Sequence, residues 1–322
     1  MERGYRGTIP DTRIDTIDKI PVTNIHATYK PREHTLQNNI GAYLQYVLNT
    51  NFLKKTNVTI GCRYDYNSVY GSTINPRIGI INKPHEKVTI KLLFGSAYRA
   101  PTNFELYSTV GARLANPGLK PEKIRTYEAN IIYTPSKIWV VQVNWFLNEL
   151  TNVIVDGVPV SGGFFQVQNA GTGLVTGFEA KLDIFPAKQF SGFVNFTYQY
   201  GTQKNSGVKF DIPDIAKVKG NIGFVWHVAQ LLNLSVIENL VGNRSVPATN
   251  PLGKVNGYFI TNLVISTHAF FDSRVSASLN IRNLFNQKYY DPGIRSANGS
   301  LYATVLEQPG INLLFKITVN LH

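Results

Sequence analysis

Apolar and polar residues alternate along much of the chain with a period of two, which predicts β-strands whose two faces meet different surroundings. The clearest run lies near the C-terminus, where Leu313, Phe315 and Ile317 alternate with Asn312 and Lys316. Similar runs lie near 39–48, 58–66, 88–98, 138–147, 177–184, 192–200, 218–226 and 274–281, whereas 232–241 and 258–267 alternate poorly. The pattern predicts an all-β fold of about 14 strands.

Short and long connections between these runs alternate from residue 83 onward. Short connections are predicted near 83–87, 134–137, 185–189, 227–231 and 268–273, and long ones near 99–124, 148–173, 201–217, 242–257 and 282–309. Antiparallel hairpins give this alternation when one rim is trimmed and the other is elaborated, as in membrane barrels with short periplasmic turns and long extracellular loops. The runs also reach the length of about 9–11 residues that a tilted strand needs to cross hydrocarbon.

Period-two alternation also fits a soluble β-sandwich, in which the apolar faces turn inward. Two features favour an antiparallel transmembrane β-barrel instead. Charged residues lie in mid-strand on the polar face, as a water-filled lumen permits: Arg63, Asp65, Lys91, Glu179, Lys181, Asp183 and Lys316. Aromatic residues collect at strand ends, as an interfacial girdle requires: Tyr64, Tyr66, Tyr98, Tyr198, Tyr200 and Trp226.

Composition excludes several classes of protein. The 322 residues carry a formal net charge of +12, yet only 16% are charged, and the sequence has no apolar run of the roughly 18 residues that a membrane helix needs. The excess cations suit an anionic membrane surface or an anionic ligand, but their scattered positions disfavour nucleic acid as a partner. Cys62 is the only cysteine, so an intrachain disulfide and a cysteine-based zinc site are excluded.

Candidate chemistry beyond binding is sparse. The six histidines show no metal-ligand spacing, so we predict neither a metal site nor a cofactor. The sequence contains no nucleophile elbow, no phosphate-cradling loop and no histidine with plausible acid and nucleophile neighbours. An enzyme is therefore disfavoured, and no catalytic residue is predicted.

Five short elements carry a family resemblance. Residues 95–107 read GSAYRAPTNFELY and residues 116–122 read NPGLKPE. The first segment resembles the FRAPT-x-x-EL motif of TonB-dependent outer-membrane receptors, with Tyr98 at the usual Phe position, and the second resembles their NPxLKPE motif. In the same order follow residues 177–179, similar to a G-x-E strand start, residues 283–290, similar to NLF-x-x-x-Y, and residues 308–310, similar to the P-G before the last strand.

The resemblance implies an outer-membrane barrel of about 22 strands with an N-terminal plug in its lumen. Residues 1–322 are then expected to be the C-terminal part of the barrel domain, with the plug absent from this chain and TonB contacted only through that plug. The family imports scarce nutrients with energy supplied through TonB, so a ferric siderophore or another metal chelate is the expected ligand. The expected other partners are outer-membrane lipid and lipopolysaccharide.

A passive porin or surface-binding barrel, without an energised step, is the alternative function. His322 also departs from the family, whose barrels usually end in Phe. Haem receptors of the family carry a histidine between the two main motifs, and residues 103–115 contain none. This absence disfavours the usual haem-binding mode.

The motif residues are interpreted as anchors of one long loop, since proline fixes φ where a loop leaves and rejoins a sheet. The anchors are Tyr98, Arg99, Ala100, Pro101, Thr102, Asn116, Pro117, Leu119, Lys120, Pro121 and Glu122. Candidate ligand-contacting loop residues are Phe104, Tyr107, Arg113, Arg244, Tyr289 and Arg295. The cations among them could collect an anionic chelate or lipopolysaccharide phosphates, and the aromatic rings could stack on a flat ligand or pack the loops.

Overall fold

The computed structural model of the chain describes residues 37–50, 55–228, 232–267, 274–294 and 299–320. The strands in these ranges, numbered in chain order, are β1 Asn39–Thr50, β2 Thr56–Asn67, β3 Gly71–His85, β4 Val88–Arg99, β5 Arg113–Leu114, β6 Glu122–Tyr133, β7 Trp139–Pro159, β8 Phe165–Ala187, β9 Phe190–Asn205, β10 Val208–Asp211, β11 Val218–Val228, β12 Leu232–Val241, β13 Arg244–Ser245, β14 Lys254–Val255, β15 Tyr258–Thr267, β16 Val275–Arg282, β17 Tyr290–Pro292, β18 Val305–Glu307 and β19 Asn312–Val319. One short helix, α1, covers Asn103–Tyr107, and a 3-10 turn covers Ser161–Gly163.

Thirteen long strands form one antiparallel sheet in the order β1-β2-β3-β4-β6-β7-β8-β9-β11-β12-β15-β16-β19. Each of these strands pairs with the long strand that follows it in the chain, so the sheet is a succession of hairpins. Two short strands join at its side, since β10 pairs with β9 and β5 pairs in parallel with β8. The predicted all-β antiparallel fold is confirmed, and the predicted count of about 14 strands is close to the thirteen described.

Cross-strand register carries one apolar face around the sheet. Directly paired residues on this face form a row across six strands: Phe315, Leu279, Ile265, Leu234, Trp226 and Phe190. Leu313 on the same face is 65% exposed, and Leu44 on β1 is 77% exposed. These side chains face away from the protein and suit lipid, whereas a sandwich would bury them, so the soluble alternative fails.

The opposite face is polar, as predicted for a lumen. Lys181 and Asp183 lie on β8 opposite Asn195 and Phe193 of β9, and their side chains form an ion pair of 2.9 Å. Lys316 pairs with Ser278 on this face, whereas the neighbouring Phe315 lies on the apolar face. Cys62 lies on the apolar face opposite Leu44 and is exposed.

The two rims differ as predicted, with two corrections. In the predicted long connection at 201–217, β9 continues to Asn205 and pairs with β10. Short turns at 86–87, 134–138 and 188–189 mark one rim, and connections at 100–121, 242–257 and 283–311 mark the other; 229–231 and 268–273 lie outside the described residues. The predicted long loop at 148–173 is wrong, because β7 continues to Pro159 and β8 begins at Phe165. Register shifts beyond Leu150 let this ladder bend and continue past the membrane-spanning part.

Glu238 explains why β12 and β15 alternate poorly in sequence. It lies on the otherwise apolar face opposite Thr261, whose hydroxyl donates a 2.5 Å hydrogen bond to the Glu238 carboxylate. The polar pair interrupts both patterns without changing the strand register. Within the described ranges, no helix is long and apolar enough to span a membrane.

Candidate functional site

The long loop at 100–121 begins and ends at an ion pair that joins the two main motifs. Arg99, the last residue of β4, pairs directly with Glu122, the first residue of β6. The Arg99 Nε donates to Glu122 Oε2 at 2.5 Å, and its Nη2 lies 3.3 Å from Glu105 Oε1. The Glu122 carboxylate also accepts the Ile154 N–H at 2.6 Å. The loop base is thereby fastened to three consecutive long strands.

Helix α1 starts with a capping box immediately after this base. The Thr102 hydroxyl accepts the Glu105 N–H at 3.2 Å, and the Glu105 carboxylate accepts the Thr102 N–H at 2.7 Å. Reciprocal bonds of this kind satisfy backbone donors that a helix start leaves unpaired. Burial alone would raise the pKa of Glu105, but hydrogen bonds from Thr102 and Arg99 outweigh it and lower the pKa below its usual value.

The loop has a hydrophobic core of its own. Leu106 from the first motif, Leu119 from the second and Val167 from β8 are 0%, 1% and 1% exposed, and they pack together. Tyr107 and Ile154 cover this cluster from the side. Within the described residues, these three are the largest fully buried side chains. Leu119, one of the predicted anchors, is therefore buried against Leu106, which sequence reasoning did not single out.

Hydrogen bonds tie the returning part of the loop to β8. The Asn116 side chain donates to the Val167 carbonyl at 2.9 Å. Asn169 accepts the Lys120 N–H at 2.9 Å and donates to the Lys120 carbonyl at 2.8 Å. Val167 and Asn169 belong to none of the sequence motifs. Only the fold shows that they hydrogen-bond the loop.

The remaining predicted anchors differ in how deeply they are buried. Pro101 and Pro121 are buried, Ala100 is half-buried and Pro117 is exposed. Tyr98 precedes the loop base and lies near Tyr70 in the turn after β2. Burial, and next the neighbouring Tyr98, raise the pKa of Tyr70.

The exposed ring of Phe104 covers the guanidinium of Arg113, whose side chain is only 16% exposed, at the surface of the loop. The Arg113 guanidinium lies 4.4 Å from the Phe104 ring centroid, and Phe104 is 53% exposed. Arg113 also contacts Asp156 at 3.0 Å and donates to the Ser108 carbonyl at 2.9 Å. The guanidinium is thus held in place beneath an accessible ring, while Tyr107, the third candidate in this loop, packs against the buried core.

Arg244 lies in a different cluster and is only 7% exposed. Its Nη1 contacts Asp291 at 2.5 Å, and its Nη2 donates to the Tyr290 carbonyl at 2.7 Å. The Tyr258 ring lies 5.4 Å from the guanidinium and 4.6 Å from the ring of Tyr289. The fold therefore brings Arg244 and Tyr289 together, whereas Arg295 lies outside the described residues.

The Arg244 cluster joins three loops of the elaborated rim. Arg244 forms a β-bridge with Ala216, and Ser245 accepts the Asp214 N–H at 2.8 Å. Asn250 donates to the Thr304 carbonyl at 2.7 Å. These contacts link residues 212–217, 242–257 and 283–311 into one assembly. Asp291, the charge partner of Arg244, was not singled out by sequence reasoning because nothing near it in the chain marks it.

In two of the shorter family motifs, neighbouring atoms leave no room for any side chain at the glycine position. A Cβ on Gly310 would overlap Asn286 Oδ1, which accepts the Ile311 N–H at 2.9 Å. A Cβ on Gly177 would overlap the Tyr198 carbonyl oxygen and the Phe146 ring. The P-G and G-x-E elements thus mark places where another side chain or strand comes too close for any Cβ.

The family model described as "TonB dependent receptor-like, beta-barrel" matches residues 4–284. The chain belongs to this family. The receptor barrel is 24% identical over 284 residues to the ferrienterobactin receptor of Escherichia coli, covering 79% of this chain and 37% of that protein. It is 32% identical over 138 residues to a probable TonB-dependent siderophore receptor of Acinetobacter baumannii, covering 38% of this chain and 18% of that protein.

Solved structures share the fold of the receptor barrel. A crystal structure of the ferric enterobactin receptor of Pseudomonas aeruginosa superposes with a TM-score of 0.73 at 20% identity, covering 88% of this chain and 45% of that one. The siderophore receptor PirA of Acinetobacter baumannii gives 0.72 at 20% identity, over 88% and 46%. The chain spans less than half the length of these relatives. Membership of the TonB-dependent receptor barrel family places this protein in the outer membrane.

Within the described residues, no three His, Cys, Asp or Glu side chains group as metal ligands. The contacts of the candidate site are ion pairs, hydrogen bonds and ring contacts. Such groups can bind and hold a ligand, and the family is one of receptors.

Proposed function

We propose that this receptor barrel serves the energised import of a ferric siderophore, with TonB supplying the energy through a plug in the lumen. Support comes from membership of the TonB-dependent receptor family and from relatives that are named as ferric enterobactin and siderophore receptors. All of residues 1–322 would belong to one barrel domain. The observation that carries the proposal is the elaborated rim, where a rigid loop base presents a cation and an exposed ring side by side.

The chemistry of the Phe104–Arg113 pair suits such a ligand. Ferric siderophore complexes are commonly anionic, and catecholate siderophores also carry flat aromatic rings. A held guanidinium attracts the negative charge, and the 53% exposed Phe104 ring offers a stacking surface. Because Arg113 is already fixed by Asp156 and the Ser108 carbonyl, little side-chain entropy is lost when a ligand binds. A ferric catecholate is therefore the first ligand to test.

Outer-membrane lipid and lipopolysaccharide are the other partners that we propose. The apolar outward face meets the acyl chains, and cations beyond the aromatic level meet the phosphates of the outer leaflet.

Uptake of radiolabelled ligands by whole cells tests the import proposal. Cells that express the protein at full length would be compared with and without TonB, using ferric catecholates, ferric hydroxamates, haem and cobalamin. We expect uptake of a ferric siderophore that disappears without TonB. Uptake that continues without TonB would show a passive barrel, and uptake of only haem or cobalamin would contradict the siderophore assignment.

A further inference from the structure

Two lysines lie opposite each other where β9 and β10 extend beyond the membrane-spanning part of the sheet. Lys209 of β10 is the direct cross-strand partner of Lys204 of β9, and both are exposed. Directly opposed like charges destabilise an antiparallel pair. Within the described residues, neither lysine takes part in an ion pair, so an anion from outside the chain would stabilise this arrangement.

A third lysine lies beside an aromatic ring of the same face. The Lys217 Nζ lies 4.8 Å from the Tyr200 ring centroid and 2.9 Å from Asp211 Oδ2. The Tyr200 hydroxyl also donates to Asp211 at 3.0 Å. Asp211 is the one carboxylate among these groups, so the set of Lys204, Lys209, Lys217 and Asp211 keeps an excess of two positive charges. We call the three lysines the lysine patch.

The height of the lysine patch matches the headgroup zone of the outer leaflet. Tyr198 and Tyr200 lie on the outward face and are 42% and 37% exposed, as expected of an interfacial aromatic level. Lys204 follows Tyr200 by four residues, which is about 13 Å along a strand at about 3.3 Å per residue. A tilt of about 40° leaves roughly 10 Å of height above the tyrosines.

Another outward cation on the same rim is compensated within the chain. Arg125 of β6 lies directly opposite Glu149 of β7, so opposite charges face each other there. The lysine patch lacks such an arrangement, because lysine faces lysine. Below the lysine patch, the outward face continues with Phe178 and Phe196, whose ring centroids are 5.7 Å apart. Cations above and aromatic rings below match a lipid with a phosphorylated headgroup and acyl chains.

We propose that the lysine patch, together with Tyr198 and Tyr200, binds the phosphate groups of the lipid anchor of lipopolysaccharide. The ammonium groups pair with the phosphates, and the acyl chains lie along the outward aromatic face. This inference rests on the lipopolysaccharide contact proposed above and not on which ligand is imported.

The test uses the protein at full length, purified from outer membranes in detergent. The double variant Lys204→Glu/Lys209→Glu is compared with Lys219→Glu, a charge reversal on the lumen face opposite Thr197. The measurements are lipopolysaccharide retained per protein and affinity for diphosphorylated lipid A, for dephosphorylated lipid A and for inorganic phosphate. We expect the double variant to bind diphosphorylated lipid A about tenfold or more weakly, since each basic residue near an anionic surface contributes substantially.

Several outcomes would overturn the proposal. Unchanged lipid A affinity in the double variant, or an equal loss in Lys219→Glu, would remove the role of the lysine patch. Equal affinity for dephosphorylated lipid A, or displacement of lipid A by inorganic phosphate, would exclude phosphate recognition on a lipid. Lys204→Gln/Lys209→Gln removes the charges without adding repulsion and keeps the test decisive if the Glu variant does not fold. Absence of iron uptake by the unchanged protein, together with normal lipid A binding, would contradict only the proposed import function.

Discussion

The loop base at 100–121 and the membrane-spanning sheet differ in where their large apolar side chains lie. In the sheet, large apolar side chains such as Leu44 and Leu313 point outward and are 77% and 65% exposed. In the loop base, Leu106 and Leu119 are 0% and 1% exposed. The sheet is stabilised by its hydrogen-bond ladder and by lipid around it, whereas the loop extends into water and needs a dry core of its own. In this barrel, burial within the protein stabilises the elaborated rim more than the strands.

The largest expected effect is a cavity in the loop core. Leu106→Ala removes buried methyl groups from a site that cannot fully collapse, so local opening of residues 100–121 should become easier by about 2–5 kcal/mol. Hydrogen exchange of the loop amides measures this change. Leu313→Ala removes the same atoms from the lipid-facing side of β19 and should leave exchange in the loop unchanged. Equal effects of the two variants would contradict the contrast between loop core and sheet.

A steric change in the sheet should have the next largest effect. Gly177→Ala places a Cβ against the Tyr198 carbonyl oxygen and the Phe146 ring, which forces β8 away from its neighbours. We expect a loss of about 1–3 kcal/mol in stability, as overpacking typically causes. Thermal unfolding of the purified barrel is the measurement. Gly95→Ala is the matched control, since a Cβ there would meet no atom within 4 Å; comparable losses in both variants would argue against a steric cause.

Acid should loosen the loop base before it affects the sheet. The pKa of Glu105 is lower in the folded loop than in the unfolded chain, so its contribution to stability is present above the unfolded pKa of about 4.3. That contribution is lost as the pH falls below this value and through the folded pKa. Protease cleavage between residues 100 and 121, measured against pH, should therefore increase in acid. Glu105→Gln should flatten this dependence, and a profile identical to that of the unchanged protein would exclude Glu105 as its source.

The smallest expected effect concerns ligand affinity at the surface of the loop. Phe104→Ala removes the ring beneath which Arg113 is held, and a cation–π contact at an exposed site is worth about 0.5–1 kcal/mol. Affinity for a ferric siderophore, the ligand proposed above, should fall about two- to fivefold. Equilibrium binding to whole cells measures it, with Tyr133→Ala at the opposite rim as the control. An equal affinity in Phe104→Ala and the unchanged protein would place the ligand elsewhere, with the Arg244 cluster as the next region to test.

Sequence reasoning predicted the two faces of the sheet and the alternating rims. It failed at 148–173, where a paired ribbon replaces the predicted loop, and in part at 201–217, where β9 continues to Asn205 and pairs with β10. Turn-forming and polar residues there resemble a loop, but a partner strand of matching length lets the ladder continue in water. Residues 232–241 and 258–267 looked irregular for a related reason, since Glu238 and Thr261 compensate each other across two strands.

The sequence by itself determined the all-β architecture, because a period of two and a fixed order of short and long connections are local properties of the chain. Its motifs also led to the prediction of which residues anchor the long loop. Only the tertiary structure decided their partners: Val167 and Asn169 receive the loop, Asp156 holds Arg113, and Asp291 pairs with Arg244. These partners lie tens of residues away in the chain, and strand register, which local pattern does not specify, brings them within contact distance.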